Sequence, residues 1–143
     1  MSAETVFTLD AGVWYEWHNG SHDMMNFTAY DYTLRDIEKE WKKATLDTIR
    51  HFPSDQPYLG LYDFSHVTVA SAHLRQWSQH IIALSNYFEG EYAVVVSIRL
   101  FERVIELIHQ QHEQMDSTAL HASVFSSKAK AIAYLQQAKA QRS

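Results

Sequence analysis

The segment Tyr92-Ala93-Val94-Val95-Val96-Ser97-Ile98 constrains this chain more than any other, because a strand built from it is apolar on both faces. A strand of that kind needs cover above and below, and in α/β proteins the cover is helix. Tyr58-Leu59-Gly60-Leu61-Tyr62-Asp63-Phe64 reads the same way, as a second buried strand. His121-Ala122-Ser123-Val124-Phe125 reads as a third, shorter one.

Helical stripes separate these strands. Leu34, Ile37, Trp41, Ala44 and Thr48 recur at intervals of three and four, so one face of a helix is apolar. Thr33 can cap its start, with Asp36 three residues on, and Pro53 ends it. Leu74, Trp77, Ile81, Leu84 and Phe88 make the next stripe, in a helix that starts at or near Ser71. Leu100, Phe101, Val104, Leu107 and Ile108 make a third, running toward His112. Ser126 or Ser127 caps a last helix through about Ala138, with Ile132 and Leu135 buried.

The N-terminal third reads as β. Val6-Phe7-Thr8-Leu9 and Val13-Trp14-Tyr15-Glu16-Trp17 flank Asp10-Ala11-Gly12, the pattern of a hairpin. Asn19 to Asp23 reads as a loop, and Phe27 to Tyr32 as a third strand. Strands that alternate with helices require right-handed crossovers and a largely parallel sheet. The expected fold is therefore one α/β domain over residues 1–143. It has a single-layer mixed β-sheet, an antiparallel N-terminal hairpin, and amphipathic helices packed on the sheet.

Composition narrows the function. A chain of 143 residues with 46% hydrophobic and 20% charged residues can bury a core. A net charge of -5 argues against nucleic acid and against an anionic membrane surface as partners. With no cysteine, disulfide and thiolate chemistry are excluded. Met1 to Glu4 show no basic region leading into an apolar run, and no apolar run approaches membrane-span length. A cytoplasmic location without stable membrane insertion is expected.

The order of elements, and the motifs on it, resembles the STAS superfamily, the SpoIIAA-like anti-sigma-factor-antagonist domains. Leu61 to Leu74 looks like that family's central strand, loop and next helix start. Tyr92 to Ile98 looks like its Val-rich strand, and Leu100-Phe101-Glu102-Arg103-Val104 is similar to the helix that follows. Ser126 to Leu135, ending Ala131-Ile132-Ala133-Tyr134-Leu135, looks like its closing helix. The likeness covers roughly residues 30 to 138. It implies a bacterial regulatory domain with a phosphoacceptor serine at the start of the second helix. The family's signature there is Asp-Ser-Ser/Thr-Gly; this chain has Ala70-Ser71-Ala72-His73. Ser71 matches the acceptor, while Ala70 and His73 stand where the family has Asp and Gly. Ser71 is therefore a candidate degenerate phosphoswitch, set against the plainer reading of an ordinary N-cap, which the missing Asp and Gly favour.

Other chemistry is thinly supported. His109 and His112, with Glu113, share a helical spacing that could hold a metal, but the spacing of four with an internal Glu is lacking. No metal and no cofactor are expected. Asp63, His66, His73 and Ser71 lie close in sequence, yet no nucleophile elbow or Gly-rich oxyanion loop accompanies them. Asp63 also ends a hydrophobic strand, like a receiver phosphoacceptor, but the acid pair such domains need is absent. No catalytic residue is expected.

Aromatic residues crowd the first third: Trp14, Tyr15, Trp17, Phe27, Tyr30 and Tyr32. Trp14 and Tyr15 point to opposite faces of an ideal strand, so a second copy of the chain or an apolar ligand could cover one face. The expected function is a non-enzymatic regulatory or protein–protein interaction domain with an unidentified protein partner. The alternative is a carrier or sensor of a small apolar ligand or lipid. Candidate interface or ligand residues are Trp14, Trp17, Tyr30, Tyr32, His66, His73 and Trp77.

Overall fold

The computed structural model describes residues 6–7, 13–20, 23–29, 37–53, 55–67, 71–114 and 120–142. Six strands and four α-helices follow one another as β1 (Val6–Phe7), β2 (Val13–Trp17), β3 (Met25–Ala29), α1 (Ile37–His51), β4 (Tyr58–Asp63), α2 (Ser71–Leu84), β5 (Gly90–Val95), α3 (Phe101–Gln114), β6 (Leu120–Phe125) and α4 (Lys128–Arg142). The strands form one mixed sheet in sequence order, β1 to β6. β1, β2 and β3 run antiparallel, with Phe7 opposite Tyr15 and Tyr15 opposite Phe27. β3 to β6 run parallel, with Asn26, Leu61, Ala93 and Ser123 in line across the sheet. The fold is thus α/β with an antiparallel N-terminal edge, as the alternating pattern predicts.

Each β-strand residue faces the side opposite to its neighbour's, and β4 and β5 use both sides. Tyr58, Tyr62, Tyr92 and Val94 face one layer, with Tyr15, Trp17, Met25 and Phe27 of β2 and β3. That layer holds α1, α2 and α3, packed side by side. Leu59, Leu61, Ala93 and Val95 face the other layer, which α4 covers with Ala131 and Leu135. All six residues of β4 are buried.

Local chemistry sets the boundaries. In α1 the buried residues are Ile37, Trp41, Ala44 and Thr48, the stripe read from the sequence. Leu34 and the Thr33 cap lie outside the described residues. α2 ends at Leu84, where the Ser85 hydroxyl donates to the Ile82 carbonyl at 2.6 Å. Phe88 is therefore not helical, but it is buried against Phe52 and Tyr58 through the turn that follows. β5 stops at Val95; Ile98 enters a short 3-10 turn and is 82% exposed. A last ladder bond, from the Val96 N–H to the Phe125 carbonyl, follows the strand before the chain turns toward α3. Ser127 caps α4, accepting from the Lys130 N–H at 3.3 Å, and the helix continues past Ala138 to Arg142. Ile132 is only half-buried. The third strand begins two residues earlier than the aromatic run suggests, at Met25.

Two glycines meet backbone needs. Gly90 sits at φ 149°, and a Cβ there would lie 2.1 Å from the Tyr58 carbonyl oxygen. Gly60 lies beneath the Tyr58 ring, so that a Cβ would stand 2.6 Å from the Tyr58 hydroxyl. Tyr58 and Tyr62 are four strand residues apart, about 13 Å along an extended chain. The ring of Tyr58 spans that gap by lying across Gly60, and the two hydroxyls meet at 2.5 Å.

Candidate functional site

In open parallel sheets, functional groups collect at the C-terminal ends of the strands, where the loops leave for the helices. Here that edge carries Asp63, the last residue of β4. Asp63 is buried, and its Oδ1 accepts from the Ser65 N–H at 2.9 Å and the Ser65 hydroxyl at 2.5 Å. Its Oδ2 faces the His66 imidazole Nε2 at 3.8 Å and the Lys128 ammonium at 3.9 Å. Both of those side chains are about half exposed. Lys128 is the first residue of α4, so the cluster joins β4 to a helix two strands away in sequence.

The sequence candidates divide into three groups. Only His66 lies at this edge with its side chain accessible. Trp17, His73 and Trp77 are core residues: Trp17 packs on Phe52, and His73 and Trp77 have no exposed surface. The remaining four give no side-chain geometry. Ser71 is the first residue of α2 and Trp14 lies in β2 opposite Thr28, but their side chains are outside the description. Tyr30 and Tyr32 lie outside the described residues. His66 and His73 do not converge, because His73 turns inward and accepts the Trp41 indole N–H at 3.2 Å through Nδ1. His109 is exposed, and among the described residues no group of three His, Asp or Glu is placed to hold a metal ion.

The structure also shows a polar network inside the three-helix layer. The Trp41 carbonyl can only accept, so the Thr45 hydroxyl donates to it at 2.8 Å. His80 Nδ1 lies 2.7 Å from the same hydroxyl oxygen and must donate. His80 Nε2 is then the acceptor, and the Tyr62 hydroxyl donates to it at 2.7 Å. Tyr58 in turn donates to Tyr62. The assigned chain therefore runs one way, from Tyr58 through Tyr62, His80 and Thr45 to the backbone of α1.

Burial keeps every member neutral. It pushes the His80 imidazole down to about 3 and raises the Tyr58 and Tyr62 hydroxyls above their ordinary value. Around the network the rings of Phe27, Trp41, Tyr62 and Trp77 stack or meet edge to face, with Phe27 and Tyr62 centroids 4.5 Å apart. Nearby, Tyr92 donates to Gln111 Oε1 at 2.9 Å. The Trp77 Nε1 and Gln111 Nε2 donors are buried without a partner among the described residues. The spacing of Tyr58 and Tyr62 on one strand face, and of His73, Trp77 and His80 on one helix face, was the available signal. His80 was not singled out because no chemical motif accompanies it in the sequence.

Above His80 the helices α1 and α2 part to leave an open groove of about 660 Å³. Trp41, Thr45 and His80 line its floor, and Leu46, Arg75 and Gln79 line its walls. Leu46 is 51% exposed there.

Fold and site together define a class: an α/β domain with a filled aromatic layer and a small charged cluster at the C-terminal strand edge. Comparison with family models, with curated proteins and with solved structures finds no match to this chain. Among the described residues no helix is long and apolar enough to cross a membrane.

Proposed function

We propose that this chain is a non-enzymatic, STAS-like regulatory domain that acts in the cytoplasm by contact with another protein. The observation that carries this reading is the cluster of Asp63, His66 and Lys128 at the edge where α2 begins with Ser71. The strand edge presents the half-exposed Lys128 ammonium and His66 imidazole at the end of the sheet where α2 starts. That surface suits an acidic partner segment, or an anionic group placed on Ser71. The interior supports the same reading. The buried hydroxyls and imidazole of the Tyr58–His80 chain bond one another, which is the signature of a fixed core rather than of groups held ready to react.

The test is affinity purification with the native chain and with a His66→Ala/Lys128→Ala variant. Both side chains are half exposed, so the fold should survive their loss. A protein partner bound by the native chain and lost by the variant is the expected result. An identical set of bound proteins would count against the edge as the contact surface. Phosphopeptide mapping of Ser71 runs alongside, and an unmodified Ser71 under all growth conditions would remove the phosphoswitch.

The α1–α2 groove favours a second reading, a carrier or sensor of a small apolar ligand. Native mass spectrometry of freshly purified protein separates the two. A retained small molecule would support the carrier.

A further inference from the structure

We infer that the free edge of β6 is a self-association surface, at which two copies of the chain join their sheets antiparallel. β6 bonds β5 on one side only, and among the described residues no strand pairs with its other side.

The direction of its backbone groups follows from one hydrogen bond. The Phe125 carbonyl accepts from the Val96 N–H, so Phe125 points toward β5. By strand alternation His121 and Ser123 do the same, and Leu120, Ala122 and Val124 point outward. Three N–H and three C=O groups therefore line the edge.

Natural sheets protect such an edge with lysine, proline or a bulge. Leu120 to Phe125 contains no lysine and no proline, and it pairs with β5 without interruption over all six residues.

The edge is complementary to itself. A two-fold axis at Ala122 sets Ala122 opposite its own copy and Leu120 opposite Val124 of the second copy. These are three hydrogen-bonded pairs, which satisfy all six groups. The same register puts His121 opposite Ser123 of the second copy on the α4 side. Along the three-helix side the facing residues are all apolar, and Ala122 and Val124 are only half-buried in one copy.

The flank of α3 agrees. Val104, Ile108 and Gln111 face the core. At 100° per residue, with right-handed crossovers, Phe101, Ile105 and His112 turn toward the open edge, while Arg103 and Leu107 turn toward α2. Among the described residues Ile105 is one of few large apolar side chains left exposed, and Phe101 is half-buried. The His112 Nε2 is buried with no partner among the described residues. Antiparallel α3 helices would bring Glu102, at the start of one copy, toward His109 and His112 at the end of the other. Apolar contact and backbone pairing both favour a second copy as the occupant.

Sedimentation velocity across a concentration series tests this. The native chain should sediment at twice its 16.6 kDa mass. Ala122→Pro removes one outward N–H and no bond to β5, as proline is tolerated at such edge positions. It should weaken dimerisation at least tenfold while the circular dichroism spectrum stays native. Ile105→Lys does the same from the helix and decides the matter if the proline variant unfolds. A native chain that stays monomeric at about 100 μM overturns the proposal, because such an edge would then serve an extended peptide or nothing. A dimer indifferent to the folded variants also overturns it and moves the interface elsewhere.

Discussion

The two faces of the central strands are built by opposite means. On the three-helix face, β4 and β5 present Tyr58, Tyr62 and Tyr92, whose hydroxyls must each be bonded inside the protein. On the α4 face, the same two strands present Leu59, Leu61, Ala93 and Val95, which carry no polar atoms beyond the backbone. The centre of the aliphatic face is held by area and tolerates substitution of similar volume, its polar contacts to α4 lying at the strand ends, where Tyr134 donates to Glu91 and Lys128 faces Asp63. The aromatic face is held by area and by a directed set of hydrogen bonds, so it tolerates far less. A sheet one layer thick can thus have a plastic side and an exacting side.

The largest test compares truncations. Trp77→Ala on the exacting side should cost about 3–5 kcal/mol, and Leu61→Ala on the plastic side about 2–5 kcal/mol, in urea denaturation. Restoring volume should separate them: Leu61→Met should cost under about 1.5 kcal/mol. If Trp77→Phe proved equally mild and Leu61→Met severe, the contrast would be inverted.

Next comes the hydroxyl chain. Tyr62→Phe keeps the ring but strands both the Tyr58 hydroxyl and His80 Nε2. A loss of about 1–3 kcal/mol is expected, because a buried group left unmatched keeps its desolvation cost. A neutral result would mean that the chain contributes nothing net.

The pH dependence is more gradual. Above pH 6.5, His80 is neutral in both folded and unfolded states and adds no slope. Between 6.5 and about 3 the unfolded chain takes up a proton that the folded His80 refuses. Stability therefore falls with falling pH, by up to about 1.4 kcal/mol per unit from this group. His80→Gln should flatten that limb of the stability–pH curve, measured against the native chain. An unchanged slope would show that other groups carry the acid sensitivity.

The smallest effect belongs to the α4 side. Ser127→Ala removes an exposed cap bond of 3.3 Å and should cost about 0.5–1 kcal/mol. A larger loss would make α4 more dependent on its start than its packing implies.

Much of this arrangement was legible in the residues. β4 and β5 declared themselves because both faces are apolar, and α1 and α2 because Trp41, Ala44, Leu74 and Trp77 keep helical spacing. Boundaries were less legible where packing overrode pattern. Phe88 continues the α2 stripe in sequence but reaches the core from a turn, and Ile98 extends an apolar run yet lies in solvent. The candidate site was read only in part. His66 beside Asp63 follows from a strand end, which sequence shows. Lys128 does not, because it is brought there by parallel pairing across two strands. His80 was hidden for a chemical reason: a neutral imidazole with both nitrogens matched can replace an apolar residue, and only the partners reveal it.

The glycine under the Tyr58 ring has a consequence for descent. Position 60 must lack a side chain only while position 58 is a tyrosine reaching for position 62. In a diverging lineage these three sites should change as a set. Once Tyr58 gives way to a smaller residue, the constraint on Gly60 lapses and Tyr62 must find another donor. Covariation of 58, 60 and 62, rather than fixity of any one, would be the evolutionary trace of this interior.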